Sequence, residues 1–471
     1  MTENKREGWR LNITERRTLL VLGDFLVSVF GLVISLLTWA TISNEWLGFS
    51  LAFFQERVAV WFYFLPLLWI LMMVDLYNIH QASNWRSTIY GVSSRAGIGL
   101  ILYLIIYFAS QNPLPRVSVA IFLVLTYIFT LIWRLIYIRV FTTNKFLQRV
   151  LLIGAGKAGE TILEEYNRMD PKPFNLIGLI DDDPKKINTQ IKGYKVIANS
   201  DDLMQFIQLE NITDIIVAIS GELKGTTFQT LLDVQHIGIH ISRMPVVYEQ
   251  LLDRVPINIL EADWLLRSFV DQFQSNRFYA VSKRLVDIIG GLIGFIFLVL
   301  VFPFIALAIV IEDGKPIFYS QVRLGARGKP FDIIKFRTMQ KDAEADGLPV
   351  LAREDDDRAT KIGKFLRRSH IDEIPQFLNV LQGDLSLVGP RSERPELVEH
   401  YMRRIPFYRA RLLVKPGITG WAQVNYGYAG NIEETKTKLE YDLYYIKHRN
   451  IILDILTILK TPRMMFGLRG Q

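Results

Sequence analysis

The sequence predicts a membrane protein with three parts: a bundle of four transmembrane helices, an α/β domain, and a mainly α domain that meets the membrane through a re-entrant, proline-broken helix. Three observations predict this organisation. Four apolar stretches fill the first third of the chain, short apolar runs alternate with polar segments in the middle, and a fifth apolar stretch precedes a polar C-terminal part. A chain of 471 residues is long enough for two or three domains.

The four apolar stretches lie at residues 18–42, 58–77, 92–110 and 117–141. Each approaches the roughly 20 residues that cross about 30 Å of hydrocarbon. The first is too long for a signal-peptide core and lacks a small-residue cleavage site, so we expect it to be retained. Basic residues cluster before the first stretch, between the second and third, and after the fourth, and are scarce in the other two loops. The positive-inside rule therefore predicts that both ends of domain 1–145 are cytoplasmic.

The net charge is +7, and the chain contains no cysteine. The missing cysteines exclude disulfides and thiolate metal sites. The basic residues form no stripe interleaved with aromatic residues, so the charge indicates cytoplasmic faces and anionic lipid rather than nucleic acid.

Residues 146–265 carry the pattern of a Rossmann-like domain. A buried strand at 150–153 is followed by Gly154, Gly156 and Gly159 and an amphipathic helix, and further strands are predicted at 176–180, 215–219 and 237–241. Such glycines allow a tight turn and close approach to a pyrophosphate, and Asp181 follows the second strand, where a ribose-binding acid would sit. Two interpretations stay open: a nucleotide site, or a regulatory or assembly domain without nucleotide turnover.

The fifth apolar stretch, 285–311, is about 40 Å long as a straight helix. Basic residues flank it on both sides, which a single crossing would not provide. Pro303 removes a helical hydrogen bond and is expected to bend the helix, so that it enters the inner leaflet and returns. The alternative is a fifth true span followed by an exported domain.

The C-terminal part contains an ordered set of motifs: Lys-Phe-Arg-Thr-Met at 335–339, Ile-Asp-Glu-Ile-Pro-Gln at 371–376, Ser-Leu-Val-Gly-Pro-Arg at 386–391 and Lys-Pro-Gly-Ile-Thr-Gly-Trp at 415–421. Asp372 and Glu373 are predicted at the start of a helix with Pro375 in its first turn. A helix N-terminus favours a phosphate and should keep the aspartate ionised. An ionised aspartate beside arginines and Mg²⁺ is suited to attack phosphorus.

These motifs resemble those of the bacterial sugar transferases known as polyprenyl-phosphate hexose-1-phosphate transferases. The likeness covers residues 280–471, and the preceding parts resemble the family's large form. It implies transfer of a hexose 1-phosphate from a UDP-sugar to undecaprenyl phosphate, with release of UMP, as the first membrane step of exopolysaccharide, capsule or O-antigen synthesis. It also implies a bacterial inner-membrane location, with the Rossmann-like and catalytic domains in the cytoplasm.

The resemblance assigns roles to named residues. Asp372 becomes the nucleophile that forms a phospho-aspartyl sugar intermediate, and Glu373 becomes the partner of the Mg²⁺ cofactor. Basic residues in the motifs are expected to contact phosphates or the carboxylate pair, or else to form structural salt bridges: Lys335, Arg337, Arg367 and Arg391.

Two residues depart from the family pattern. His370 replaces a small hydroxyl residue, and Ser392 replaces a proline. The sugar is expected to be glucose or galactose, with an influence from residues 423–430. A homodimer and contacts with other polysaccharide-assembly proteins are expected on the resemblance alone.

Two other functions are compatible with parts of the sequence. A membrane-bound, NAD-dependent nucleotide-sugar dehydratase has a similar N-terminal half of four helices and a Rossmann-like domain. Such an enzyme also needs a second complete glycine-rich site in its C-terminal half, and this sequence lacks one. The Tyr279-x-x-x-Lys283 spacing of short-chain dehydrogenases is interpreted as a coincidence beside a membrane segment. A non-catalytic scaffold would have no chemical need for Asp372, Glu373 and Arg391.

Overall fold

The structure is a computed structural model of the chain, and it describes residues 10–42, 48–109, 116–221, 225–259, 277–340, 358–427 and 431–465. The chain divides into two compact units, Met1–Leu251 and Leu252–Gln471. The first unit contains both the apolar helices of the first third and the α/β sheet. The second contains the C-terminal motifs.

Three long helices of the first unit have the length and composition of membrane spans: α1 (Ile13–Ile42), α5 (Trp85–Ala109) and α6 (Arg116–Phe141). Many of their apolar side chains are exposed, as expected of a surface that meets lipid. Shorter helices connect them: α2 (Leu51–Glu56), α3 (Leu65–Met72) and α4 (Ile79–Ala82).

The second predicted span, 58–77, is not one helix. It consists of a 3-10 helix at Val60–Phe64, then α3, and then a second 3-10 helix at Val74–Tyr77. Pro66 lies in the first turn of α3, where its missing N–H is tolerated, so a new helix starts there. The apolar helical piece Val60–Met72 is about 20 Å long, too short for the hydrocarbon core. The prediction of a continuous span is therefore wrong for this segment.

A buried ion pair joins α1 to α6. Arg134 donates to Asp24 through Nη2 at 2.6 Å and through Nε at 3.1 Å, and it also donates to the carbonyl oxygen of Leu76. Both charged side chains are almost completely buried. Arg134, which the topology rule counts as a flanking charge, therefore belongs to the interior of the bundle.

The α/β part of the first unit has the predicted Rossmann-like topology. Its six-stranded sheet has the order β3-β4-β2-β1-β5-β6 and is parallel except for the β3–β4 pair. The strands are β1 (Arg149–Ile153), β2 (Asn175–Ile180), β3 (Gln190–Ile191), β4 (Tyr194–Ala198), β5 (Asp214–Val217) and β6 (His240–Arg243). The helices are α7 (Lys157–Arg168), α8 (Leu203–Leu209), α9 (Gly225–His236) and α10 (Met244–Leu252). The predicted third and fourth strands are confirmed with shifted ends, and β3 and β4 are additional.

In the second unit, a 3-10 helix at Ile257–Ile259 precedes the long helix α11 (Arg277–Asp313), which contains Pro303. A two-stranded antiparallel ribbon follows, β7 (Phe318–Leu324) and β8 (Pro330–Phe336), and β9 (Ser386–Val388) pairs in parallel with β10 (Gly417–Thr419). The remaining helices are α12 (Lys361–Arg368), α13 (Gln376–Gln382), α14 (Pro395–Met402), α15 (Trp421–Asn425), α16 (Ile432–His448) and α17 (Ile451–Met465).

One face of α11 packs on the rest of the second unit along most of its length. Buried residues recur at helical spacing from one end to the other: Asp287, Gly291, Gly294, Leu298, Ala306 and Ile309. A Cβ atom at Gly294 would collide with the ring of Phe377 on α13, so glycine permits the close approach of the two helices. Other faces of α11 expose apolar side chains. The helix is continuous through Pro303, and its re-entrant path stays a prediction.

Candidate active site

The two central carboxylates lie in a short turn rather than in the α-helix that follows. Ile371–Glu373 form a 3-10 helix, and α13 starts at Gln376 with Pro375 as its N-cap. The predicted helix start is therefore displaced by a few residues. His370 enters the turn with a left-handed backbone (φ 56°), which costs a non-glycine residue roughly 1–2 kcal/mol.

Asn379 connects the turn to the β8 strand. Its side chain accepts a hydrogen bond from the N–H of Ile334 at 3.1 Å and donates to the carbonyl of Asp332 at 2.8 Å. These bonds fix α13 against β8, so that Lys335 on β8 reaches Glu373. The sequence analysis assigned no role to Asn379.

Glu373 is held by two cations. Lys335 Nζ lies 2.6 Å from Glu373 Oε1, and Arg391 Nη2 lies 2.8 Å from the same oxygen. Burial by itself would raise the pKa of Glu373, but Arg391 and Lys335 outweigh it and hold this pKa well below its usual range. Glu373 also raises the pKa of Arg391 further above its ordinary value. This carboxylate is therefore ionised throughout the physiological range.

Asp372 has the opposite environment. The residue is 8% exposed, and no described residue donates a hydrogen bond to its carboxylate. Burial, and next the charge of Glu373, raise the pKa of Asp372 to about 6, against the opposing influence of Lys335, Arg391 and His370. The sequence predicts that a helix N-terminus keeps this aspartate ionised. Burial and Glu373 outweigh the seven-residue helix behind it and raise the pKa of Asp372, but the ionised form still predominates at neutral pH. An unpartnered carboxylate of this kind is available for reaction.

Two of the predicted basic residues contact other partners. Arg337 is buried, donates to the carbonyls of Gly314 at 2.6 Å and Asp313 at 3.1 Å, and pairs with the Asp313 carboxylate. It thereby closes the C-terminal end of α11. Arg367 donates from Nε to Thr338 Oγ1 at 3.0 Å. Of the four predicted cations, the structure thus brings Lys335 and Arg391 to the carboxylate pair and places Arg337 and Arg367 on structural contacts.

A buried cluster of charged side chains holds the backbone of Arg391 in position. Arg411 donates to its backbone carbonyl at 2.9 Å and pairs with Asp442 at 2.8 Å. Glu393, two residues after Arg391, lies 3.5 Å from Lys438. Arg411 belongs to no recognised motif, so the sequence offered no signal for it. Ser392, the departure from the family pattern, is buried beside this cluster.

Tyr279 and Lys283 have a structural role. Both contact Asp454 Oδ2 at 3.1 Å, and Lys283 also donates to the carbonyl of Val388 at 3.0 Å. Tyr445 completes the cluster through a hydrogen bond to Asp454 at 2.7 Å. The pair therefore joins α11 to α17 and to the strand that leads to Arg391.

The glycine-rich loop of the first unit is formed as predicted. Gly154 has φ 102°, and a Cβ atom there would press on the carbonyl of Ala218, whereas a Cβ at Gly156 would meet open space. Asp181 Oδ2 accepts hydrogen bonds from the Ala155 N–H at 2.7 Å and from Lys186 at 3.0 Å. The predicted nucleotide residues, Gly159 included, thus share one sheet edge, and nucleotide binding there stays a prediction.

Within the described ranges, no group of three or more His, Cys, Asp or Glu side chains forms a ready-made metal site. Mg²⁺ is commonly bound by one or two carboxylates together with substrate phosphates and water. Glu373 fits that pattern, because both of its hydrogen bonds end on Oε1 alone and leave Oε2 for a metal ion. It is the residue that would hold a Mg²⁺ ion completed by a phosphate-bearing substrate and water. Residues 423–427 of the predicted sugar-preference stretch are described, and residues 428–430 lie outside the described residues.

The fold and the site together describe a membrane protein whose second unit places a carboxylate pair beside two cations and an apolar helix. Comparison with known proteins shows which family has these features. A model of the bacterial sugar transferase family matches residues 278–467, and a model described as a CoA-binding domain matches residues 72–245.

Several curated proteins are similar to this chain. The UDP-N-acetylgalactosamine-undecaprenyl-phosphate N-acetylgalactosaminephosphotransferase of Aeromonas hydrophila is 37% identical over 49% of this chain and 55% of that protein. The UDP-glucose:undecaprenyl-phosphate glucose-1-phosphate transferase of Escherichia coli is 41% identical over 38% of this chain and 39% of that protein. The uncharacterized sugar transferase EpsL of Bacillus subtilis is 38% identical over 40% of this chain and 90% of that protein. The match thus spans about half the length of the Aeromonas relative and nearly all of EpsL.

This chain belongs to the bacterial sugar transferase family. A solved structure, the UDP-D-quinovosamine 4-dehydrogenase of Vibrio fischeri, is 22% identical over 26% of this chain and 98% of that chain, with a TM-score of 0.20. A likeness at that level supports no conclusion about activity.

Proposed function

We propose that this protein transfers a hexose 1-phosphate from a UDP-sugar to undecaprenyl phosphate, giving undecaprenyl-diphosphate-sugar and UMP, and so starts the synthesis of a surface polysaccharide. Family membership and the activities for which the Aeromonas and Escherichia relatives are named support this proposal. Those names include N-acetylgalactosamine and glucose, so the donor panel must cover both kinds of sugar.

The observation that carries the proposal is the contrast between the two adjacent carboxylates. Glu373 is neutralised by Lys335 and Arg391, whereas Asp372 is buried and accepts no hydrogen bond from a described residue. A carboxylate that is poorly solvated and unpartnered is a stronger nucleophile than one in water. With a pKa of about 6, Asp372 is roughly 90% ionised at pH 7.

Two in-line displacements follow. An oxygen of Asp372 attacks the sugar-bearing phosphorus, an aspartyl O–P bond forms, and the bridge to the uridine-bearing phosphorus breaks with release of UMP. An oxygen of undecaprenyl phosphate then attacks the same phosphorus and displaces Asp372 as a free carboxylate. Each step exchanges one phosphorus–oxygen bond for another, so no external energy source is needed.

The cations act on the negative charge of these steps. Lys335 and Arg391 lie on one side of the pair and can stabilise charge on the transferring phosphate while they hold Glu373 in place. A Mg²⁺ ion held by Glu373 would neutralise part of the charge on the pyrophosphate of the donor. Arg411 and Asp442 keep the backbone of Arg391 in position.

The test measures UMP release by the purified full chain with Mg²⁺, undecaprenyl phosphate and a panel of UDP-glucose, UDP-galactose and UDP-N-acetylgalactosamine. Asp372→Asn should abolish release, and Asp384→Asn, which changes an exposed aspartate of the same unit, should retain it. Undiminished release by Asp372→Asn would exclude Asp372 as the nucleophile. Absence of release with every donor would reject the proposed reaction.

We further infer that α11 enters the inner membrane from the cytoplasmic side without crossing it. Its two ends are tied to the same folded unit: Lys283 contacts Asp454 near the start, and Glu312 accepts hydrogen bonds from α12 near the end. Because one compact unit lies on one side of a bilayer, this arrangement favours a monotopic helix over a span. Single cysteines at Arg277 and Lys315 should then react with an impermeant maleimide from the cytoplasmic side only. Labelling of the two positions from opposite sides would establish a span.

A further inference from the structure

The short helix α12 presents a basic face that none of the described residues covers. Lys361, Lys364, Phe365 and Arg368 are all exposed, and Phe365 is 65% exposed. At 100° per residue these four positions fall within an arc of about 100°. No described residue forms an ion pair with the three cations, so this face, here called the α12 basic face, consists of one aromatic ring among unneutralised positive charges.

The opposite face of α12 packs against α11 and against the backbone at Thr338. Ile362 and Leu366 share an apolar cluster with Ile305 and Ile309 of α11. Gly363 packs directly against the carbonyl of Thr338, where a side chain would not fit. The orientation of the helix is therefore fixed, and its basic face always points away from the core of the unit.

The N-terminus of α12 is capped by the end of the apolar helix α11. Glu312 accepts hydrogen bonds from the N–H groups of Lys361 at 2.7 Å and Ile362 at 2.9 Å, and Thr360 caps Gly363. The basic face thus begins at the residues where α11 changes from apolar to polar. If α11 lies in the inner leaflet as proposed above, a helix at that place lies at the level where lipid headgroups begin.

We propose that the α12 basic face docks on the anionic phospholipid headgroups of the inner membrane, with Phe365 inserted between them. The charge pattern selects this partner: each Lys or Arg close to an anionic surface favours contact by roughly fivefold, and an aromatic ring prefers the interface. Docking would hold the Asp372 turn, which follows α12 within four residues, at headgroup level. The proposal depends on the membrane contact of α11 and not on the transfer chemistry.

The absence of native cysteine permits a direct test. The Phe365→Cys variant of the full chain is labelled with an environment-sensitive fluorophore. It is then reconstituted in nanodiscs of phosphatidylcholine with or without ~30% phosphatidylglycerol, a fraction that approaches the surface charge of an anionic membrane. Nitroxide lipids should quench the label and iodide should not, and the contrast should grow several-fold with phosphatidylglycerol. Glu433→Cys, on an exposed acidic turn of α16, is the control that iodide should quench in both lipids.

The charge requirement is tested in the same assay. Combined Lys361→Gln, Lys364→Gln and Arg368→Gln changes should make the Phe365→Cys label accessible to iodide and remove its dependence on phosphatidylglycerol. Iodide quenching of the label in both lipids would overturn the proposal. Protection that appears only when undecaprenyl phosphate is added would also overturn it and assign the face to the lipid substrate. Because the readout is fluorescence, failure here is distinct from loss of UMP release.

Discussion

Replacing the proposed nucleophile should stabilise the protein while it abolishes activity. The pKa of Asp372 rises from the ordinary 3.8 to about 6, since burial disfavours the charged carboxylate. Ionising this group in the folded state therefore costs about 3 kcal/mol, at about 1.36 kcal/mol for each tenfold change in the acid constant. The penalty is absent below pH 4, develops as the pH rises towards 6, and is complete above that value. Asp372→Asn, which has nearly the same shape but no charge, should remove it.

Thermal unfolding of the full chain in detergent measures this effect. At pH 8 the Asp372→Asn variant should unfold several degrees above the wild type, since about 1 kcal/mol corresponds to roughly 2–4 °C for a unit of this size. The difference should shrink steadily between pH 6 and pH 4. Asp384→Asn, which changes an exposed carboxylate, should unfold with the wild type. Equal stability of Asp372→Asn and wild type at pH 8 would refute the claim that ionisation of buried Asp372 destabilises the folded protein.

Further predictions concern the site and its support. The rate of UMP release should fall as the pH drops through about 6, where Asp372 becomes protonated. Lys335→Met should move this fall to higher pH, because Lys335 opposes the rise in the pKa of Asp372. An unchanged pH profile in this variant would contradict the assignment of the pH dependence to Asp372. Gly294→Ala should destabilise the second unit by about 1–3 kcal/mol through collision with Phe377, whereas Gly97→Ala, which meets open space, should leave the unfolding temperature within about 1–2 °C of wild type. Chelation of divalent cations should stop UMP release and restoration of Mg²⁺ should recover it; release that persists in chelator would reject the metal.

Sequence patterns predicted much of the fold because periodicity and glycine placement are local properties. The Rossmann-like order of strands follows from alternating elements, and the Gly154 turn requires a backbone that only glycine adopts at low cost. The broken segment at 58–77 was less predictable. Composition there is apolar except for Asp75 near the end, and only Pro66 signals a new helix start.

The candidate site was predictable only in part, since ionisation depends on neighbours that are remote in sequence. The motifs correctly drew attention to Asp372 and Glu373, but not to the opposite pKa shifts of the two carboxylates. Those shifts arise from burial and from Lys335 and Arg391, the first of which is 38 residues from Glu373. Asn379 acts through hydrogen bonds to a strand 45 and 47 residues away, which no local pattern reveals.

The buried pair of Asp24 and Arg134 has a consequence for biogenesis. Each charge alone lowers the propensity of its helix to leave the translocon for lipid, by about 2.5–3.5 kcal/mol at the centre of a span. Asp24 and Arg134 are 110 residues apart in the chain, so α1 emerges long before its partner. We therefore expect α1 to be retained at the translocon until α6 has been synthesised. The two helices should then enter the bilayer together as a neutral pair.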